Sequence, residues 1–134
     1  MKYFSIEELC GSETAEERGI DNTPTVKAVE NMTRLINVVL DPLREAYGKP
    51  ITTNSGYRSP ALNAVTKGAS KNSQHMTGEA ADITVGTKEG NKWLFDYIKA
   101  NLPFDQLIDE YNYSWVHVSL DADMCNRREI IHTR

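Results

Sequence analysis

The sequence contains no apolar run approaching eighteen residues, so nothing in it reads as a membrane-spanning helix. Its N-terminus, Met1-Lys2-Tyr3-Phe4-Ser5-Ile6-Glu7-Glu8-Leu9, has acids where a secretion signal would carry its apolar core, which predicts a product that is cytoplasmic as synthesised. Cysteine is scarce. Cys10 and Cys125 stand near opposite ends, without the close spacing of a Cys-x-x-Cys metal or redox motif, and two reduced thiols are expected. An excess of basic residues is missing too, and a net charge of −4 from 15 basic and 19 acidic residues argues against nucleic acid as the main partner, since phosphate binding needs clustered Lys and Arg. Repeats, low-complexity tracts and linkers are also absent. What remains is 134 residues of ordinary globular composition, 40% hydrophobic and 25% charged, expected to form one domain over residues 1–134 and to act as a monomer.

Helical and strand signals are both present. Ser5 with Glu8 three residues on is a capping-box pattern for a short helix over residues 5–9, followed by a polar, irregular stretch from Gly11 to Asn22. Thr23-Pro24 then opens one long amphipathic helix over residues 24–47, on which Val26, Val29, Met32, Leu35, Ile36, Val39, Leu40 and Leu43 recur at helical spacing, with a bend expected near Pro42. Ile51 to Tyr57 reads as a strand, Ala61 to Val65 as a helical turn, and Lys88 to Leu102 as a second packing helix presenting Trp93, Leu94, Tyr97, Ile98 and Leu102. Gln106 to Tyr111 and Ser114 to Leu120 suggest a β-hairpin around Asn112-Tyr113. Four short strands and two substantial helices predict an α+β domain with a small, mainly antiparallel sheet. Residues 121–134 form a polar, Arg-rich C-terminal segment, with His132 expected at the surface.

The chemistry concentrates in Ser73-Gln74-His75-Met76-Thr77-Gly78-Glu79-Ala80-Ala81-Asp82-Ile83 and in Trp115-Val116-His117-Val118-Ser119. His75 lies in a polar, Gly-containing loop, whereas Asp82 enters the apolar run Asp-Ile-Thr-Val. Alternation in the second stretch puts Trp115, His117 and Ser119 on one face and Val116 and Val118 on the other. An aspartate and a histidine in apolar strands are costly to bury unless a charge meets them. Two histidines and an aspartate are also the donor types and number of a catalytic zinc site, which leaves one position for water. The plainer alternative is a hydrogen-bonded strand histidine and a turn aspartate.

These stretches, preceded by Ser55-Gly56-Tyr57-Arg58-Ser59-Pro60 and joined by Phe104-Asp105-Gln106-Leu107-Ile108, resemble the M15A group of zinc peptidases over residues 24–120. That group includes D-Ala-D-Ala carboxypeptidases and phage endolysin peptidases with the hedgehog/DD-peptidase fold. The resemblance implies Zn2+ held by His75, Asp82 and His117, with peptidoglycan stem peptides as substrate and no insertion into membranes. It implies that Arg58 lies beside the substrate, where a guanidinium can clamp a carboxylate or carbonyl at two points, with Ser73 and Gln74 as polar neighbours. A structural salt bridge is the alternative for Arg58.

One departure matters. Better-known relatives carry their proton-shuttling carboxylate three residues before the last histidine, and here that position is Ser114. The hairpin offers Asp109 or Glu110 instead: a three-residue loop sets Asp109 opposite His117, whereas a four-residue loop sets Glu110 opposite Trp115 on the His117 face. The Phe-Asp-Gln-Leu-Ile-x-Glu pattern favours Glu110 as the general base. Ser114 also keeps open a second function, a non-catalytic zinc-binding module that binds the cell wall or serves as a phage structural component. Carboxypeptidase and endolysin-like endopeptidase are both compatible with the sequence; the latter would act on the wall after release from a phage- or prophage-bearing cell.

Overall fold

Met32, Leu35, Ile36, Val39, Leu40 and Leu43 are all fully buried in the computed structural model, which describes residues 1–134. They lie on a helix that begins later than expected. Thr25, not Thr23, accepts the Ala28 N–H as its cap, and Val26 at the first helical position is exposed. The helix runs through Val26–Leu35 (α3), a π-helical turn at Ile36–Leu40, and Asp41–Tyr47 (α4). In the wider turn the Asp41 N–H donates to the Ile36 carbonyl just ahead of Pro42, which accommodates a residue that has no N–H to donate. Gly48 then ends α4 in the left-handed conformation.

Two short helices precede this element, α1 (Ile6–Cys10) and α2 (Glu13–Arg18). The second falls within the stretch expected to be irregular. Ser12 caps it by accepting from Ala15, and left-handed Gly19 closes it, so paired caps order a polar hexamer that has no apolar period. Further on lie α5 (Pro60–Val65), capped by Ser59, a 3-10 turn at Gln74–Thr77, and α6 (Lys88–Asn101). Helix α6 buries Leu94, Phe95 and Ile98 against the sheet. Trp93, expected on that face, is 39% exposed and stacks on Tyr97 instead.

The architecture is α+β, as expected, but the sheet has five strands, not four. These are β1 (Thr52–Ser55), β2 (Ala80–Thr84), β3 (Gln106–Glu110), β4 (Trp115–Ser119) and β5 (Glu129–His132), in the order β1-β2-β4-β3-β5. All pairings are antiparallel except β3 with β5, which is parallel. The fifth strand comes from the C-terminal segment, where Ile130 and Ile131 are the one aliphatic pair and both are only half-buried. Too little apolar pattern marks it in the sequence; its pairing with the open edge of β3 makes it a strand. On the helix-facing side, Ala81, Ile83, Leu107, Val116 and Val118 are fully buried, whereas Asp82, Ile108, Glu110, Trp115 and His117 line an open cleft.

Candidate metal centre

Strand pairing does most of the assembly. Asp82 on β2 sits directly opposite His117 on β4, and His117 Nδ1 lies 3.0 Å from Asp82 Oδ1. The third residue arrives from the turn just before β2. Ser73 accepts the His75 N–H and starts the 3-10 turn, and left-handed Gly78 ends it, so that His75 Nε2 lies 3.4 Å from Asp82 Oδ2. Gly78 has φ +76, and a Cβ there would come within 2.4 Å of the Ala28 carbonyl oxygen. Asn31 on α3 holds the same turn by donating to the Thr77 carbonyl at 2.9 Å. His75 is 3% exposed and His117 8%, and the rings meet edge to face with centroids 5.2 Å apart.

The donor geometry fits a metal ion. One ligand atom from each of His75, Asp82 and His117 lies within 4.8 Å of the other two. His75 Nδ1 donates to the Gly56 carbonyl at 2.7 Å, which turns Nε2 toward Asp82 as the nitrogen that would meet a metal. The arrangement is thus that of a ligand already oriented by a backbone partner, and a borderline-soft divalent ion such as zinc suits two imidazoles and one carboxylate. Burial of Asp82 opposes its charge, but hydrogen bonds and charge interactions with His117 and His75 outweigh this and hold its carboxyl well below the usual carboxylate range.

Around these three residues runs a polar cleft of about 490 Å³. Arg58 lines it, its backbone N–H donating to the His75 carbonyl at 3.0 Å and its Nη2 to Ser73 Oγ at 3.2 Å. Burial pushes its guanidinium pKa down, with Asp82 opposing. Asn22 secures the flanking backbone, donating to the Tyr57 carbonyl and accepting the Ser59 N–H. Gln74 donates to Asp105 Oδ2 at 3.0 Å. Arg58 Nε, Gln74 Oε1, Trp115 Nε1 and His117 Nε2, all from cleft-lining residues, are buried without a hydrogen-bond partner, whereas elsewhere only Thr53 and Asn63 have such atoms. Unmet hydrogen-bonding capacity is concentrated around the cleft.

The hairpin carries the four-residue loop, with Glu110 opposite Trp115 and Ile108 opposite His117. Glu110 accordingly lines the cleft together with His75, Asp82 and His117. Asp109 points to the other face and is fully buried, accepting from Arg134 Nη1 at 2.6 Å and bonded to His132 Nδ1. It is therefore not an exposed hairpin charge. His132, expected simply at the surface, has a side chain 48% exposed but tied to Asp109. Lys67 also lines the cleft, and the Ser114 hydroxyl bonds within its own turn, donating to the Tyr111 carbonyl.

Two contributors carried no signal for sequence reasoning: the Gly56 carbonyl and Thr133, whose hydroxyl donates to Glu110 Oε1 at 3.2 Å. Asp105 did carry one, as the acid of the Phe-Asp-Gln-Leu-Ile block. It supports Gln74 while accepting from Arg127 Nε at 3.1 Å and Nη2 at 2.8 Å.

Comparison with known proteins agrees with this geometry. Over 50 residues, 37% of the chain, the sequence is 50% identical to the zinc D-Ala-D-Ala carboxypeptidase of Streptomyces albus G. The match spans only 19% of that protein's length. The profile of the family described as Peptidase M15 covers residues 2–119, nearly the whole chain, and so the chain belongs to the M15 peptidase family.

Proposed function

We propose that the chain is a zinc peptidase that hydrolyses peptidoglycan stem peptides, with Zn2+ held by His75, Asp82 and His117. The observation that carries this reading is the convergence of that three-donor cluster with a further carboxylate, Glu110, and a guanidinium, Arg58, in one polar cleft. When bound, zinc supplies water activation and polarisation of the scissile carbonyl. Glu110 acts as general base, accepting a proton from the attacking water at its carboxylate and returning it to the leaving amine. Arg58 clamps a substrate carboxylate or carbonyl through the guanidinium N–H groups that it presents to the cleft. Ser73 and Gln74 flank it; Ser73 orients the guanidinium and Gln74 is held in place by Asp105.

The relative from Streptomyces albus G is named for D-Ala-D-Ala carboxypeptidase activity, and removal of a terminal D-Ala is accordingly one form of the reaction. Cleavage within the stem peptide, as in an endolysin released to the wall, is the other. Zymography on purified cell walls with mass spectrometry of the products tests the reading and separates the two forms. A terminal D-Ala marks a carboxypeptidase, whereas larger peptide fragments mark an endopeptidase. About one zinc per chain is expected by metal analysis, with chelation abolishing hydrolysis and zinc restoring it. Zinc binding without any hydrolysis would favour a non-catalytic wall-binding module.

A further inference from the structure

Strand β5 does more than widen the sheet. Its parallel register with β3 pairs Gln106 with Glu129 through to Asp109 with His132, and one further step sets Thr133 beside Glu110. There the Thr133 hydroxyl accepts the Tyr111 N–H at 2.7 Å, which directs its own proton away from the turn, and donates to Glu110 Oε1 at 3.2 Å. The competing acceptor, the Asp109 carbonyl, lies farther from the hydroxyl at 3.4 Å and already takes the Thr133 N–H at 2.9 Å. A charged acceptor at the shorter distance wins the proton.

The hairpin needs this support. Tyr111, Asn112 and Tyr113 all have positive φ, at 48°, 56° and 64°, a left-handed run that side chains with a Cβ adopt only at an energetic cost. Thr133 offsets that strain through two contacts, since its carbonyl also accepts the Asn112 N–H at 2.9 Å. On the opposite face, buried Asp109 holds both His132 and Arg134. The two neighbours of Thr133 are thereby anchored, and its hydroxyl stays against Glu110.

We propose that Thr133 is a positioning residue for the hydrolytic reaction: its hydroxyl engages one oxygen of Glu110 and leaves the other for proton transfer. This rests on the reading of Glu110 as general base. It makes the last strand, which lies beyond residues 2–119 matched by the family profile, part of the apparatus that performs the chemistry.

The test uses the full chain loaded with zinc and a purified muropeptide as substrate. Thr133→Val is expected to lower kcat about three- to tenfold, the range of one hydrogen bond, with KM within about twofold and zinc content unchanged. Thr133→Ser, which keeps the hydroxyl, is expected to restore most of the loss. In a Glu110→Gln background, Thr133→Val should cost nothing further. An equal loss in both backgrounds, or no loss in either, overturns the proposal. If Thr133→Val does not fold, Thr133→Ala replaces it; failure of both to fold would assign the hydroxyl to stability and overturn the proposal as well. Wild-type kcat in Glu110→Gln alone would instead reject Glu110 as base, and the role of Thr133 with it.

Discussion

At the scale of single residues, adjacent acids on one strand have opposite fates because side chains alternate across a sheet. Glu110 lines the metal cleft, whereas Asp109 is fully buried on the far side between Arg134 and His132. Glu110→Gln should keep the fold and the zinc while lowering kcat by about 10²–10⁴, the usual contribution of general acid-base chemistry. Asp109→Asn should affect kcat far less but lower Tm by roughly 3–8 °C, since it removes charge from a buried carboxylate whose partners are themselves about half exposed. Thermal melts and steady-state kinetics on both variants separate the two roles, and the reverse pattern would exchange them. Arg58→Lys retains charge but not the planar fork. Its kcat/KM should fall more than about tenfold, on the order of 1.4 kcal/mol in transition-state binding, and an unchanged value would make Arg58 structural.

At the scale of elements, the centre depends on how one short turn is held. His75 stands on a single 3-10 turn between a Ser73 cap and left-handed Gly78, pressed against α3 through Asn31. Gly78→Ala would put a methyl group into the Ala28 carbonyl and force an L-residue to φ +76. A loss of about 1–3 kcal/mol is expected from the backbone strain alone. Because the same turn aims His75, zinc affinity should fall with it, measurable by competition with a chromophoric chelator; normal affinity in a folded variant would show the turn to be more tolerant than its packing suggests. The hairpin works by the same logic. Its four-residue loop determines which of two neighbouring acids meets the cleft, and a loop one residue shorter would have reversed the choice.

For the whole molecule, Asp105 ties the most distant parts together. Its carboxylate meets Gln74 beside the metal residues and Arg127 ahead of β5, and its backbone pairs with Ser119 and Glu129. Hydrogen bonds from Arg127 hold its carboxyl below the usual carboxylate range against the effect of burial. A carboxyl lowered on folding stabilises fully above its unfolded pKa of about 3.9, and that contribution fades as pH falls through the lower folded value. Asp105→Asn should therefore lower Tm by a constant amount at neutral and mildly acidic pH, with the gap to wild type closing below about pH 4. Calorimetry across pH 2–8 checks this, and a gap that persists at low pH would trace the loss to packing.

Much of the centre was legible because its information is local. Periodicity marks α3, α4 and α6, alternation marks β2 and the hairpin, and Asp82 and His117 stand out as costly polar residues within apolar runs. Short-range pattern reports such features because burial of one face is what each element needs by itself. By contrast, α2 arises from its caps, the π turn from Pro42 within a helix whose apolar face must stay buried, and β5 from an open strand edge that residues 129–132 happen to reach. The hairpin register that turns Glu110 to the cleft agrees with the local Phe-Asp-Gln-Leu-Ile-x-Glu pattern, whereas the Gly56 partner of His75 and the contact from Thr133 depend on groups far apart in sequence. Hydrogen-bond partners and strand register exist only once the chain has closed on itself, and so tertiary structure alone decided them.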